Sequence, residues 1–247
     1  MNIVRWSAFA ALALGVVAVT ALAAACDGGG SGTPAVTPGG STTPTATGTS
    51  ALEELVQALV LAQEDVPAGL QEVGGTLSTN DDIAQASNDP EAELARLESL
   101  GREIGFDLTY VPGADTPPDL QVRGINTTAS IYRTADGAST SFAEALKTLR
   151  EQDWSVSYPA LANLQAVEMD QPDLADEVYW VRVSGVETQD GDSALLVDDY
   201  VILRQARVRG LLRVVSLFDA QADRDSIFLD EVAEMARAQV QKIEASL

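Results

Sequence analysis

The chain has 247 residues, 46% of them hydrophobic, and a formal net charge of −22. Its first 25 residues hold one charged side chain, Arg5, so 14 basic and 37 acidic residues follow. A surface that negative repels phosphate backbones, which argues against nucleic acid as a partner, and it disfavours broad contact with anionic lipid. The absence of histidine removes the commonest general base and metal ligand near neutral pH, and a single cysteine precludes an intramolecular disulfide or a thiolate cluster.

Residues 1–25 read as an export signal. A short start ends at Arg5, and an apolar run of eighteen residues from Ala8 to Ala25 is interrupted only by Gly15 and Thr20. It closes on Leu22-Ala23-Ala24-Ala25-Cys26. Small residues before a cleavage point let a signal peptidase hold the chain extended. This segment resembles the bacterial lipobox. The resemblance implies removal of residues 1–25 and makes Cys26 the lipidation site, anchored by acyl chains in which each buried CH2 adds about 0.8 kcal/mol. Ala23 departs from that motif, which favours a larger residue there, and Leu22 stands one place early. Two other outcomes stay open: release after cleavage at Ala23-x-Ala25, and retention of the apolar run as an anchor helix.

After Cys26, residues up to 50 are Gly, Ser, Thr, Pro and Ala with one valine, Val36, and one charge, Asp27. Such a composition cannot bury enough apolar surface to offset the entropy of ordering, so a disordered tether is expected. Its end-to-end distance would average roughly 25–30 Å as a coil and reach about 70 Å when stretched.

Residues 51–247 are expected to fold as a single domain. Leu52, Leu55, Val56 and Leu59 carry helical spacing, ending before Pro67. A strand is expected over residues 70–78 and a turn at Asn80-Asp81-Asp82. A second helix opens at Asp89-Pro90 and continues to Ile104, with Gly105 as its end. Phe106–Val111 and Leu120–Tyr132 alternate as strands, and a parity change at Gly124 calls for a bulge. A helix follows over Ala138–Gln152. Val178–Val183, Tyr200–Leu203 and Leu211–Phe218 read as strands, the last two joined by a turn near Arg207–Gly210. A closing helix spans about Asp225 to Ala245, with Phe228, Val232, Met235, Ala236, Gln239 and Ile243 on one stripe. Hairpins with interspersed helices and no βαβ alternation give an α+β fold: a mainly antiparallel sheet with helices packed on its faces.

The order of a helix, Asp65-Val66-Pro67-Ala68-Gly69-Leu70, the Ile131-Tyr132 strand with its following helix (138–149), the Arg209-Gly210 hairpin and a closing helix is similar to small extracytoplasmic lipoproteins of high-GC bacteria. Some of these share a PsbP-like α+β sandwich. The likeness spans residues 52–247 and implies no catalytic residue.

The chemistry-bearing clusters are few. Asp190-Gly191-Asp192-Ser193-Ala194 has oxygens at calcium-loop spacing, but Ala194 and Leu195 replace the fifth ligand and the glycine, so a hairpin turn is the better reading. Asp198-Asp199 is a carboxylate pair read as solvated at a strand end. Arg204, Arg207, Arg209 and Arg213 read as a solvated hairpin balanced by nearby acids, or else as a docking patch for an acidic partner or headgroup. Trp154, Tyr158, Tyr179, Trp180 and Tyr200 read as core or rim. Ser-Lys chemistry lacks a motif around Lys147 or Lys242. No catalytic residue, cofactor or metal is expected. The functional expectation is a lipid-anchored, non-enzymatic binding or assembly module for an envelope protein or an apolar ligand. The alternatives are a carboxylate-based cell-surface hydrolase and an extracytoplasmic sensor domain.

Overall fold

The computed structural model describes residues 50–170, 173–224 and 227–247. The expected export signal and tether, with Cys26, therefore lie outside the described residues, as does Asp225. No helix among the described residues is long and apolar enough to cross a membrane.

In chain order the elements are α1 (Ala51–Ala58), a 3-10 turn (Gln63–Asp65), β1 (Leu70–Ser78), α2 (Asn80–Gln85), α3 (Pro90–Ser99), β2 (Arg102–Pro112), β3 (Val122–Tyr132), α4 (Ala135–Glu151), α5 (Trp154–Ser157), β4 (Ala162–Glu168), β5 (Glu177–Gln189), β6 (Asp192–Gln205), β7 (Val208–Asp219) and α6 (Leu229–Ser246). The strands form one antiparallel sheet in the order β1-β2-β3-β7-β6-β5-β4. Two meanders compose it, β1–β3 and β4–β7. The α4–α5 connection carries the chain to the far edge, so that β7 returns beside β3. The expected α+β architecture is the one observed.

Sequence signals explain most helix ends, and four differ from expectation; one is the closing helix, which begins at Leu229 and not near Asp225, because Phe228 before it takes a left-handed φ of 61. Asn80-Asp81-Asp82 is the start of α2 and not a turn. The Thr79 hydroxyl accepts from the Asp82 amide, and the Asp82 carboxylate accepts from the Thr79 amide, a reciprocal cap that nucleates the helix. The helix opened at Asp89-Pro90 stops at Leu100, because Gly101 takes φ 68; Ile104 and Gly105 belong to β2. Helix α4 starts at Ala135, earlier than expected, since the Thr134 hydroxyl caps the Gly137 amide.

The hairpins follow turn chemistry. Asp190 and Gly191, with φ 54 and 92, make the two-residue β5–β6 turn, so the hairpin reading of this stretch holds. The β6–β7 turn is Ala206-Arg207, slightly before the expected place, and Gly210 lies inside β7. Ala206 holds a left-handed φ of 49. The Asp176 carboxylate accepts from its amide at 2.8 Å, and Arg204 Nη1 donates to its carbonyl at 3.0 Å. The β3 bulge sits at Val122–Gly124, as the parity change requires. Strand β4 has no sequence signature: it is an edge strand, nearly all exposed, so no apolar alternation marks it.

The sheet separates two apolar layers. On one face α1 and α6 pack Val56, Leu59, Val232, Met235 and Ile243 onto Tyr110, Ile125, Leu203 and Leu212. Each such fully buried aliphatic contributes about 1.5–3 kcal/mol. On the other face α4 and α5 set Phe142, Leu149 and Trp154 over Tyr179, Val181, Tyr200 and Ile202. That second apolar layer reaches Leu211 on β7 and, at one end, Tyr132 of β3 beneath Leu100 and Ala138.

Candidate functional site

Beyond Leu211 the α4 face of the sheet is polar. Directly paired residues of antiparallel strands point the same way, so the register lays out its rows. One runs Gly74–Thr109–Asn126–Arg213–Tyr200 across β1, β2, β3, β7 and β6. The next is Thr76–Asp107–Thr128–Leu211, and a third is Ser78–Gly105–Ser130–Arg209–Arg204. Thr76 is exposed, and Asp107, Thr109, Asn126, Thr128, Arg209 and Arg213 are half-buried. Asn126 Nδ2 ties two strands by donating to Asp107 Oδ1 at 2.8 Å and Thr109 Oγ1 at 3.2 Å. Burial raises the Asp107 carboxyl above its ordinary value, and the Asn126 bond opposes that rise.

The floor is bounded at β6 by an ion-pair cluster. Arg213 Nη2 donates to Asp198 Oδ2 at 2.7 Å, and Nε reaches both carboxylate oxygens. The Tyr158 hydroxyl of the α5 segment donates to Asp198 Oδ2 and lies 2.7 Å from the Tyr200 hydroxyl. Trp154 packs 5.2 Å from the Tyr200 ring. Burial and then the Asp198 charge push both phenols upward, so they remain protonated. Burial alone would lower Arg213, but the Asp198 carboxylate outweighs it and keeps the guanidinium charged.

Asp198 and Asp199 are therefore not the solvated strand-end pair expected from sequence. Both are buried, at 0% and 1% exposure, in the middle of β6. Asp199 faces the α1–α6 layer, where Arg182 Nε and Nη2 donate to it at 2.9 Å each and Trp180 Nε1 at 2.7 Å. Neighbouring side chains on a strand point to opposite faces, so these two carboxyls cannot flank one substrate bond. Asp107 shares the α4 face with Asp198 but stands three strands across and four residues along from it, roughly 19 Å away. Paired glycosidase carboxyls lie about 5–10 Å apart.

No protein-family model matches the chain, and no curated protein matches it. Among solved structures, the extracellular domain of PknH from Mycobacterium tuberculosis is similar at 12% identity and a TM-score of 0.48, over 78% of this chain and 96% of that one.

The basic cluster of the sequence is dispersed by the fold. Arg204 pairs with Asp176 and Glu177, Arg207 with Glu103, and Arg213 with Asp198. Among the described residues, Arg209 alone of the four meets only neutral acceptors, the carbonyl and hydroxyl of Ser141. Lys147 pairs with Glu151 and Lys242 with Asp65. The aromatic residues are core and rim, as read: Tyr179, Trp180 and Tyr200 are buried, and Trp154 and Tyr158 are half-buried. Sequence reasoning missed Arg102, Asn126 and Arg182. A signal existed for Arg182, since it interrupts a run that is apolar on both faces and so requires a buried counter-charge. No comparable signal marks Asn126.

Proposed function

We propose that the chain is an exported lipoprotein, held to the outer face of the cell membrane through Cys26, whose α+β domain is a non-enzymatic binding module. The observation that carries the reading is the polar floor. Six of its side chains, Thr76, Asp107, Thr109, Asn126, Thr128 and Arg213, are exposed or half-buried on a sheet face whose remaining width is roofed by α4 and α5. A polar strip left uncovered beside a helix-roofed sheet face offers hydrogen-bonding groups to a partner.

The floor favours a hydrophilic partner, such as an envelope protein, over an apolar ligand. The space between the sheet and the α1–α6 layer is filled by Leu59, Leu61, Tyr110, Ile125, Leu203 and Ile243, each fully buried. The lipobox resemblance and the tether composition support the location. An anchor at Cys26 followed by about 25 Gly-, Ser-, Thr- and Pro-rich residues would hold the module clear of the headgroups.

Two measurements test this reading. The wild-type chain should take up labelled palmitate and fractionate with membranes, whereas Cys26→Ala should do neither. In capture from solubilised envelope, Thr109→Lys should lose the partner that Arg237→Glu, on the outer side of α6, retains. Equal capture by both variants would remove the floor from the proposal.

A further inference from the structure

At one end of the same face, two arginines make no ion pair among the described residues. Arg102 is 4% exposed, and its guanidinium lies over Gly105. A methyl group added at Gly105 would collide with Arg102 Nη2 and meet Ser78 Oγ at 2.8 Å and Ser130 Oγ at 3.0 Å. Nη1 donates to Ser78 O at 3.1 Å and Asn80 Oδ1 at 3.0 Å, and Nη2 donates to Ser78 Oγ at 2.8 Å. All three acceptors are neutral. Of five guanidinium hydrogens, those on Nε and the second on Nη2 meet no acceptor among the described residues.

The row through Gly105 continues to Ser130 and Arg209. Arg209 Nη1 donates to Ser141 Oγ at 3.0 Å, and that hydroxyl lies 2.6 Å from the Tyr132 hydroxyl. In contrast, Arg96, Arg150, Arg182, Arg204, Arg207 and Arg213 each hold a carboxylate within ion-pair distance. Among the described residues no carboxylate is within ion-pair distance of Arg102 or Arg209, and the one acid whose charge acts on Arg102, Asp82, makes no bond to it. A buried guanidinium without a counter-charge carries a large desolvation penalty. Burial lowers Arg102 to about 10; Tyr132 and Asp82 oppose that fall, and the charges of Arg209 and Arg96 add to it.

We propose that Arg102 and Arg209 form a binding site for an oxyanion, the phosphate or carboxylate group of a ligand, with the Ser130 and Ser141 hydroxyls as neutral donors. The inference rests on reading this face as the recognition face and names the chemistry taken at one end of it. Guanidinium groups suit the task because their fixed donors match two oxygens at once. The strongly negative remainder of the molecule repels anions, so binding here reflects the site and not a general attraction.

The test follows the arginine Nε–Hε resonances of the full chain in neutral micelles during titration with inorganic phosphate, with chloride at equal ionic strength as control. Saturable shifts are expected at Arg102 and Arg209 and none at Arg182, which is already paired. Arg209→Met should weaken binding about tenfold or more. Gly105→Ala should do the same by displacing the guanidinium, while the rest of the spectrum stays folded. Repeating the titration in zwitterionic bicelles with added phosphatidylglycerol separates the sources: an Arg209 shift there assigns the anion to a headgroup, and a response to phosphate alone assigns it to a soluble ligand. No saturable shift, or equal shifts at Arg182, overturns the anion site. Continued loss of partner capture in Thr109→Lys would then leave the recognition face standing without it.

Discussion

Asp198 and Asp199, adjacent on β6, turn to opposite faces of the sheet, and each closes on its own arginine: Asp198 on Arg213 at 2.7 Å, Asp199 on Arg182 at 2.9 Å. The first bond joins β6 to β7 beneath α5, and the second joins β6 to β5 beneath the segment leading into α6. Two ion pairs through one dipeptide fix the register of the three strands. A one-residue slip would exchange the faces and strand all four charges.

Removing one partner of the Arg182–Asp199 pair leaves a buried charge. Asp199→Leu should therefore cost about 3–5 kcal/mol, whereas the double change Arg182→Met with Asp199→Leu should recover most of it. Urea unfolding measures both. Arg182 Nη1 also donates to the carbonyls of Arg224 and Ile227. The double variant should thus regain stability yet show faster hydrogen exchange just before α6.

Tyr158 holds α5 to the sheet through Asp198. Tyr158→Phe removes a bond to a charged acceptor, worth about 1.5–3 kcal/mol. Trp154 packs against both Tyr158 and Tyr200, so its fluorescence should shift to the red as α5 loosens. An unchanged spectrum would mean that apolar packing alone fixes α5.

Asp107 gives a pH dependence of defined sign. Burial raises its carboxyl above the ordinary 3.8. The folded state therefore disfavours the ionised form, and stability is lost as pH rises from 3.8 through the folded value. Asp107→Asn keeps an oxygen to accept from Asn126 and removes the ionisation. It should raise the melting temperature at neutral pH and have no such effect below pH 3.8.

Cys26 makes a prediction of mass. The mature chain should begin at Cys26 and carry acyl groups, by mass spectrometry of its N-terminus. A free N-terminus at Cys26 without acyl groups would place the protein among secreted ones, and a chain starting at Met1 would make the apolar run an anchor helix.

Periodicity and turn chemistry made most of the fold legible. The α1 and α6 stripes, the bulge at Gly124 and the Asp190-Gly191 turn each follow from a local rule that tertiary packing did not override. The errors have local causes as well. Asn80-Asp81-Asp82 looks like a turn until Thr79 is seen as a cap, and β4 is exposed on both faces, so it lacks the alternation that marks a half-buried strand. The site was largely hidden because it depends on cross-strand register. Thr109, Asn126 and Arg213 are far apart in the chain, and only pairing aligns them. Asp199 was misread as solvated although a signal existed: a carboxylate inside Ala194–Leu203, a run apolar on both faces, demands a buried partner.

The claim that recognition occurs on the polar floor is tested most directly by photo-crosslinking in living cells. A photoreactive residue would stand at Thr76, Thr109 or Thr128, and in controls at Arg237 or Gln241 on the exposed side of α6. The floor positions should yield one shared adduct that the α6 positions lack. Adducts from α6 and none from the floor would contradict the account.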